Sequence, residues 1–390
     1  MAGARSPLPA FALVSFCYFT TLGLFNPYAP LWFKELGLST LAIGTITSLQ
    51  AWTRVVPPYA WGWLGDHTGR RVDIMRWTTL GCVVSSLALF GVTGYWGAAL
   101  ATLLLFGFNS ALMPMHDATL GRLLATEQGL DTGRYGRVRM WGSIGFIVTV
   151  IVCGALLEAA DVGLFPWLVV LMNVAMLVAV LRLPRLRVPV VHGEPAPPVL
   201  PLLRQPEVAW FFASAFFTVT GHGVMYAFFS LYLVSLGWGK AAVGALWALA
   251  AAVEVFFFWR QGRWFHRLSL HRWLEVAAGA SVLRFALTAL VSGVPGLVLV
   301  AQMLHAVTFA AHHATCIALV HRLFPDRLRG RGQALYTVLG YGLSGVVAGI
   351  GGGALIDRWG FEAAFWAASG VSALGWWCAR RAAAASVNSS

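Results

Sequence analysis

Ala241-Ala242-Val243-Gly244-Ala245-Leu246-Trp247-Ala248-Leu249-Ala250-Ala251-Ala252-Val253-Glu254-Val255-Phe256-Phe257-Phe258-Trp259 is an apolar run carrying one charge, Glu254. A bilayer core about 30 Å thick takes about 20 helical residues, so the run reads as a membrane-crossing helix with a carboxylate inside it. Arg284 is placed the same way in the apolar run that follows, roughly 272 to 292, and neither charge has a neutralising neighbour in its own segment. A charge at the bilayer centre costs about 2.5 to 3.5 kcal/mol on insertion scales, so it persists only when paired or turned toward a water-filled cavity. With Arg54, Asp117 and Arg139 the two residues describe a polar interior inside an apolar shell.

The whole chain agrees with that run. Of its 390 residues 58% are hydrophobic and 11% charged, and its mean hydropathy is +0.73, against about 25% charged residues in a soluble domain. This is the composition of a polytopic membrane protein. The net charge of +12 lies in short loops between apolar runs and reports topology, so no nucleic-acid partner is expected. Cys17, Cys82, Cys153, Cys316 and Cys378 all fall in apolar segments without metal-ligand spacing, and they read as small core residues. No metal and no cofactor is expected. Met1 to Ala10 is too short and too weakly basic for a removed leader, so the first apolar run is expected to stay as a helix.

Apolar runs of sufficient length number twelve, at roughly 11 to 33, 41 to 64, 72 to 93, 97 to 121, 138 to 158, 164 to 182, 208 to 234, 241 to 260, 272 to 292, 296 to 322, 333 to 356 and 361 to 379. With a cytoplasmic N-terminus, 22 of the 27 Lys and Arg residues fall on the inside and only Lys34, Lys240 and Arg358 outside, leaving Arg54 and Arg284 in the membrane. The excess of basic residues on the inner side then places both termini in the cytoplasm. The Pro-rich stretch 184 to 206 reads as a flexible cytoplasmic linker between residues 1 to 183 and 207 to 390.

The halves repeat. Leu36-Gly37, Gly44, Arg54 and Gly62 return two hundred positions later as Leu236-Gly237, Gly244, Glu254 and Gly262, and Gly154-Ala155-Leu156 with Trp167 returns as Gly353-Ala354-Leu355 with Trp366. The expected fold is all-α: twelve transmembrane helices in two pseudo-symmetric six-helix bundles, with a binding site at mid-membrane, an architecture used by secondary transporters.

Between spans 2 and 3 stands Gly62-Trp63-Leu64-Gly65-Asp66-His67-Thr68-Gly69-Arg70-Arg71. It resembles the G-x-L-x-D-x-x-G-R-R loop of the major facilitator superfamily, which implies an inner-gate latch formed by Asp66, Arg70 and Arg71. The counterpart at Gly262 to Leu270 is degenerate. Gly136-Arg137-Val138-Arg139-Met140-Trp141-Gly142-Ser143-Ile144-Gly145-Phe146 is similar to the start of span 5 in the lactose permease group and the phenylpropionate permease family. His222 and Tyr226, Gly244, Trp247 and Glu254, Arg284-Phe285, Gln302-Met303-Leu304-His305 and Thr308-Phe309 look most like the phenylpropionate permeases.

The lactose permease resemblance implies roles for individual residues. Asp117 and Arg139 match the acid and the arginine that engage substrate in the first half, and Phe146 the position of a stacking aromatic. Glu254, Arg284 and His305 match the span 8 acid, the span 9 arginine and the span 10 histidine. Two positions depart. The acid that carries the proton there, three residues after the histidine, is Thr308 here, and the asparagine three residues after the span 8 acid is Phe257. The first departure leaves the proton's site open; the second argues against a sugar.

Spacing adds its own reading. His305, Thr308 and His312 lie at i, i+3 and i+7 and share a face of an ideal helix, while His313 lies about 80° away. An imidazole titrates near neutrality and suits proton transfer. Thr218, His222, Tyr226 and Phe229 form an aromatic, weakly polar stripe on span 7 that reads as cavity lining. Asp117 stands between two roles, substrate binding with Arg139 and a gate contact with Arg70 or Arg71.

The resulting expectation is a proton-coupled symporter working by alternating access in a bacterial inner membrane, acting as a monomer. Its first candidate substrate is a small aromatic acid such as a phenylpropionate. Asp117, Arg139, Phe146, His222, Tyr226, Glu254 and Arg284 would contact the substrate, and Glu254, His305 and His312 would carry the proton. Efflux of amphipathic compounds, symport of a nucleoside or sugar, and a non-transporting membrane sensor stand as alternatives. No nucleophile elbow, metal cluster or phosphate loop points to an enzyme.

Overall fold

The computed structural model describes residues 6–126, 129–185, 198–325 and 328–388. In chain order the helices are α1 (Leu8–Glu35), α2 (Thr40–Trp52), α3 (Pro57–Thr68), α4 (Arg71–Leu87), α5 (Tyr95–Asn109), α6 (Leu112–Leu123), α7 (Thr132–Ala160), α8 (Phe165–Leu181), α9 (Leu200–Leu203), α10 (Pro206–Ser235), α11 (Lys240–Trp264), α12 (Leu270–Ala289), α13 (Leu297–Met303), α14 (His312–Leu323), α15 (Arg329–Tyr336) and α16 (Ser344–Asn388). Two π-helical stretches, Ala306–Ala311 and Thr337–Leu343, join α13 to α14 and α15 to α16. A two-residue antiparallel pair, Ala125–Thr126 with Gly129–Leu130, precedes α7.

Among the described residues, ten helical stretches are long and apolar enough to cross a membrane. Two features reconcile ten with twelve expected spans. The last stretch turns at Gly360, whose φ of 83° only glycine adopts at no steric cost, so α16 holds the end of one span and the whole of the next. The second expected span is not one helix. It stops at Trp52 and restarts at Pro57, because Pro57 and Pro58 have no N–H to bond back to the preceding turn. Arg54 therefore sits in a non-helical break and is exposed, not within a continuous helix as expected. Lipid-compatible surface is plentiful: Trp96 is 82% and Trp259 71% exposed. The five cysteines are free thiols in buried positions.

The chain forms two compact units, and their limits differ from the expected halves at two short segments. The first unit holds residues 1–38, 53–193 and 239–248. Its interior is aromatic: Trp32 stacks on Phe165 with centroids 5.4 Å apart, Phe25 meets Phe106 edge-on, and the Tyr28 hydroxyl donates to the Val150 carbonyl. Segment 239–248 joins this unit because Gly244 lets α11 touch α7; a Cβ there would stand 2.1 Å from the Val150 oxygen.

The second unit holds residues 39–52, 194–238 and 249–390. Its core gathers Phe211, Phe212, Leu274, Leu319, Phe324 and Tyr336. Segment 39–52 belongs to it through Gly44, whose Cβ would stand 2.1 Å from the Gly349 oxygen, and through the Ser48 hydroxyl, which donates to Val346 at 3.1 Å. Gly44 and Gly244 are repeat partners, as are Gly37 and Gly237, with φ of 80° and 84°. The repeat is thus kept where backbone geometry tolerates only glycine.

Candidate functional site

Arg284 lies fully buried on α12, where its guanidinium meets four acceptors. Nη1 donates to His305 Nδ1 at 2.8 Å and to Thr308 Oγ1 at 3.0 Å, and Nη2 to Gln302 Oε1 at 3.2 Å and Met225 Sδ at 3.0 Å. Its face also lies near the Phe285 ring, 5.9 Å from the centroid. Glu254 of α11 stands beyond the histidine, with Oε2 3.2 Å from His305 Nε2. The chain of contacts is therefore guanidinium, imidazole, carboxylate.

That order fixes the tautomer. Guanidinium nitrogens only donate, so His305 Nδ1 must accept from Arg284, and the ring proton resides on Nε2, directed at Glu254. Thr308, which stands where the lactose permease group carries an acid, is here another acceptor for Arg284. Gln302, Met225 and Phe309 complete the cluster; Gln302 and Phe309 stood in motifs quoted above without a role of their own, and nothing in the sequence marked Met225.

The π-helical stretch Ala306–Ala311 changes which histidines share a face. In an ideal α-helix each residue advances 100°, but a π turn advances less, so residue i+8 comes back over residue i. His305 stacks on Phe309 at 4.9 Å with rings 7° apart, and Phe309 on His313 at 6.3 Å and 9°. His313 Nδ1 lies 3.0 Å from the Tyr341 hydroxyl, with Tyr336 at 3.4 Å. His312, expected on the face of His305, instead turns to the Cys316 sulfur at 3.7 to 3.8 Å and is buried there. His313 takes its place.

On α10, His222 is buried and its Nδ1–H donates to the Thr218 carbonyl at 2.9 Å, which leaves Nε2 as an acceptor with no hydrogen-bond partner in the protein. The ring meets Phe285 edge-on at 5.0 Å, and Tyr226 meets Phe309 at 6.2 Å. Phe257, which stands where the lactose permease resemblance places an asparagine, packs into a cluster with Trp273, Ala310 and Ala311.

In the first unit, Asp117 of α6 joins Arg139 of α7 at 4.0 Å and the buried ring of His116 at 3.0 Å. Arg139 also rests over the Phe19 ring, 5.2 Å from its centroid. Phe146 follows two turns later on α7, half-buried, with its backbone close to Gly23. In the loop motif, Gly69 ends α3 at φ 63°. Arg70 pairs with Asp73 at 3.2 Å, and Asp73 also draws Arg76 and Arg185, each at 3.4 Å. Asp73 is a member of this cluster that the motif alone did not mark. The Arg71 stem lies against Gly65, and the side chain of Asp66 lies outside the described residues. An apolar cleft of about 580 Å³ lined by Leu13, Phe16 and Trp141 opens between the first turns of α1 and α7; none of the candidate residues lines it.

Comparison with known proteins gives the same picture. The MFS_1 like family matches residues 9–367. A "Probable 3-phenylpropionic acid transporter" of Escherichia coli (strain K12) is 28% identical over 371 residues, covering 91% of this chain and 92% of that one. A maltose permease of Geobacillus stearothermophilus is likewise 28% identical over 372 residues, covering 93% and 91%. The crystal structure of the nucleoside transporter NupG superposes with a TM-score of 0.81 at 16% identity, covering 97% of this chain and 99% of that one, a likeness of fold.

Proposed function

The chain belongs to the MFS_1 like family, its relatives are transporters of small solutes, and on that premise we propose that it couples the movement of a small aromatic carboxylate to that of protons. The observation that carries this reading is the buried line from Arg284 through His305 to Glu254. A guanidinium kept fully out of water among neutral acceptors is poised for an anion. When a substrate carboxylate takes Arg284 away, His305 Nδ1 loses its donor and the ring becomes free to accept a proton there, with Glu254 as its partner. Anion and proton are then taken up together.

The surrounding groups suit an aromatic body. Phe309, Tyr226 and Phe285 offer ring faces and edges, and the lone pair on His222 Nε2 awaits a donor. A sugar fits less well. Phe257 stands where a polar side chain would be needed, and it is committed to packing against Trp273. In the first unit Arg139 and Asp117 supply a second charged pair, and Phe146 lies on the same helix.

The proposed working cycle is alternating access between two six-helix bundles, residues 1–183 and 207–390, with the cluster around Asp73 and the Gly69-Arg70-Arg71 turn as a gate. We place both termini in the cytoplasm and take the protein as a monomer. The test uses purified protein in proteoliposomes with an imposed pH gradient and a radiolabelled phenylpropionate. Accumulation that collapses with a protonophore supports the reading. Failure to accumulate any aromatic acid, with active uptake of a sugar or nucleoside, would replace the substrate; outward movement only would make it an exporter.

A further inference from the structure

Glycine holds α1 and α7 backbone to backbone. A Cβ at Gly145 would stand 2.5 Å from the Phe16 oxygen, and one at Gly23 3.1 Å from the Phe146 oxygen; small residues let membrane helices approach this closely. Toward the first turns, larger side chains stand between the two helices instead. α7 presents Val138 and Trp141, α1 presents Leu13 and Phe16, and the apolar cleft of about 580 Å³ opens among them. Trp141 meets Phe16 edge-on at 6.5 Å. The residues assigned above to solute and proton lie elsewhere, so the proposed function leaves this cleft unused.

The mouth of the cleft is basic. Arg134 and Arg137 both line it, and both are exposed. Arg134 pairs with Asp131 at 3.4 Å, whereas among the described residues no carboxylate pairs with Arg137. Two guanidiniums against one carboxylate leave a positive mouth over apolar walls, and the planar fork of a guanidinium suits a phosphate. The apolar surface also continues along the helix. Trp141, Val148 and Val152 are all exposed, and at 3.6 residues per turn the two valines fall within about 20° of Trp141 on α7. From Arg137 to Val148 the helix rises about 16 Å, close to one leaflet of a hydrocarbon core about 30 Å thick.

We propose that this cleft holds an acyl chain of one anionic phospholipid, with the phosphate on Arg137 and Arg134 and the chain running past Phe16 and Trp141 along the α7 stripe. Basic pockets between membrane helices bind such headgroups. A zwitterionic headgroup brings its own cation against two arginines. A small soluble anion satisfies the mouth but leaves the walls uncovered over the depth of a leaflet. The site stands on the cleft itself and not on the transport reading, so a chain that moves no aromatic acid still keeps it.

The test is photochemical. Intact protein in mixed micelles is irradiated with phosphatidylglycerol carrying a diazirine in one acyl chain, and in parallel with phosphatidylcholine of the same chains. Mass spectrometry of the digested protein locates the label. The expected result is that phosphatidylglycerol marks residues 8–16 or 134–141 several-fold more than phosphatidylcholine does, and that unlabelled phosphatidylglycerol suppresses the signal. In Arg134→Gln and Arg137→Gln the labelling falls about fivefold for each arginine lost, the weight of one basic side chain near a charged membrane surface. Equal labelling by the two lipids in the unmodified chain overturns the proposal, since arginines that merely reach the bulk headgroups read no particular lipid; this comparison needs no variant to fold. Labelling confined to other parts of the chain overturns it as well. Displacement by inorganic phosphate alone would make the mouth a site for a soluble anion, and displacement by phenylpropionate would make the cleft part of a solute path; either outcome removes the lipid.

Discussion

The carboxylate of Asp357 caps the helix that begins at Thr40: Oδ1 accepts from the Thr40 amide at 3.2 Å and also from its hydroxyl, and Oδ2 from the Leu41 amide at 3.1 Å. Glu158 does the same for the helix beginning at Lys240, accepting from the Ala241 amide at 2.7 Å. The caps are repeat partners, since Asp357 and Glu158 each lie four residues after the first glycine of a matching Gly-Ala-Leu. First-turn amides have no partner inside their own helix, and a side-chain cap contributes typically about 1 kcal/mol. Asp357→Ala and Glu158→Ala are each expected to cost about that much, and the double variant about the sum, because each carboxylate caps a different helix. Thermal unfolding in detergent measures it; a wild-type melting temperature in both single variants would show the caps to be idle.

Asp161 offers a prediction in pH. It holds φ 98° and ψ 156°, a region that costs a non-glycine residue roughly 1 to 3 kcal/mol. Its carboxylate accepts from the Gly163 amide at 2.8 Å. That backbone N–H holds the acid below the usual aspartate range. A depressed folded pKa means that the contribution is complete above the unfolded value, about 3.9, and disappears as pH falls through the folded value. The difference in melting temperature between wild type and Asp161→Asn should be constant at neutral pH and close on acidification. A difference that persists into strong acid would assign it to something other than the carboxylate.

Arg284 is tested by the most conservative change. Lysine keeps the charge but has no planar fork, so it cannot reach His305, Thr308, Gln302 and Met225 together. Each buried acceptor left without a donor costs about 1 to 3 kcal/mol. Arg284→Lys should melt markedly lower than wild type and show no thermal shift with phenylpropionate. An undiminished ligand shift would remove Arg284 from the anion site.

His313 and His312 separate site from packing. His313→Phe keeps the ring stack on Phe309 but loses the Tyr341 contact, and it should change the pH profile of uptake. His312→Gln disturbs only the pocket beside Cys316, so it should lower stability and leave that profile in place. Measuring uptake against pH for both, with melting temperatures alongside, distinguishes the two; the reverse pattern would restore His312 to the site.

This pair also shows how far the residues could be read in advance. The membrane spans, the repeat and the family motif were legible because each depends on composition or on glycines that backbone contact enforces, as at Gly44 and Gly244. That Glu254 and Arg284 each need a partner was legible through the cost of burying charge; that the His305 ring stands between them was not. The π-helical stretch 306–311 was not, for nothing in Ala306-Val307-Thr308-Phe309-Ala310-Ala311 distinguishes it from ordinary helix. One altered turn moved His313 onto the face assigned to His312. The break at 53–56 was marked by Pro57-Pro58, but apolar length outweighed that signal. The contact of His116 with the Phe11 carbonyl was not legible either, because the two residues are distant in sequence.

Glu254 carries the sharpest functional prediction. Because Arg284 occupies His305 Nδ1, the ring directs its Nε2–H at Glu254, and the group able to take or release a proton in this state is the carboxylate. Glutamine in its place offers an amide oxygen to the same N–H, so the cluster keeps its geometry and loses its titration. Substrate binding and exchange between two pools of labelled acid should therefore survive in Glu254→Gln. Uphill transport should not. For one coupled proton, a gradient of one pH unit supports about tenfold accumulation, the equivalent of about 1.4 kcal/mol, and the variant should bring that ratio to about one. Both quantities come from the same proteoliposomes, by counterflow and by gradient-driven uptake. Loss of exchange together with accumulation would mean that Glu254 holds the substrate, and preserved accumulation in the Glu254→Gln, His305→Asn double variant would move the proton to another group.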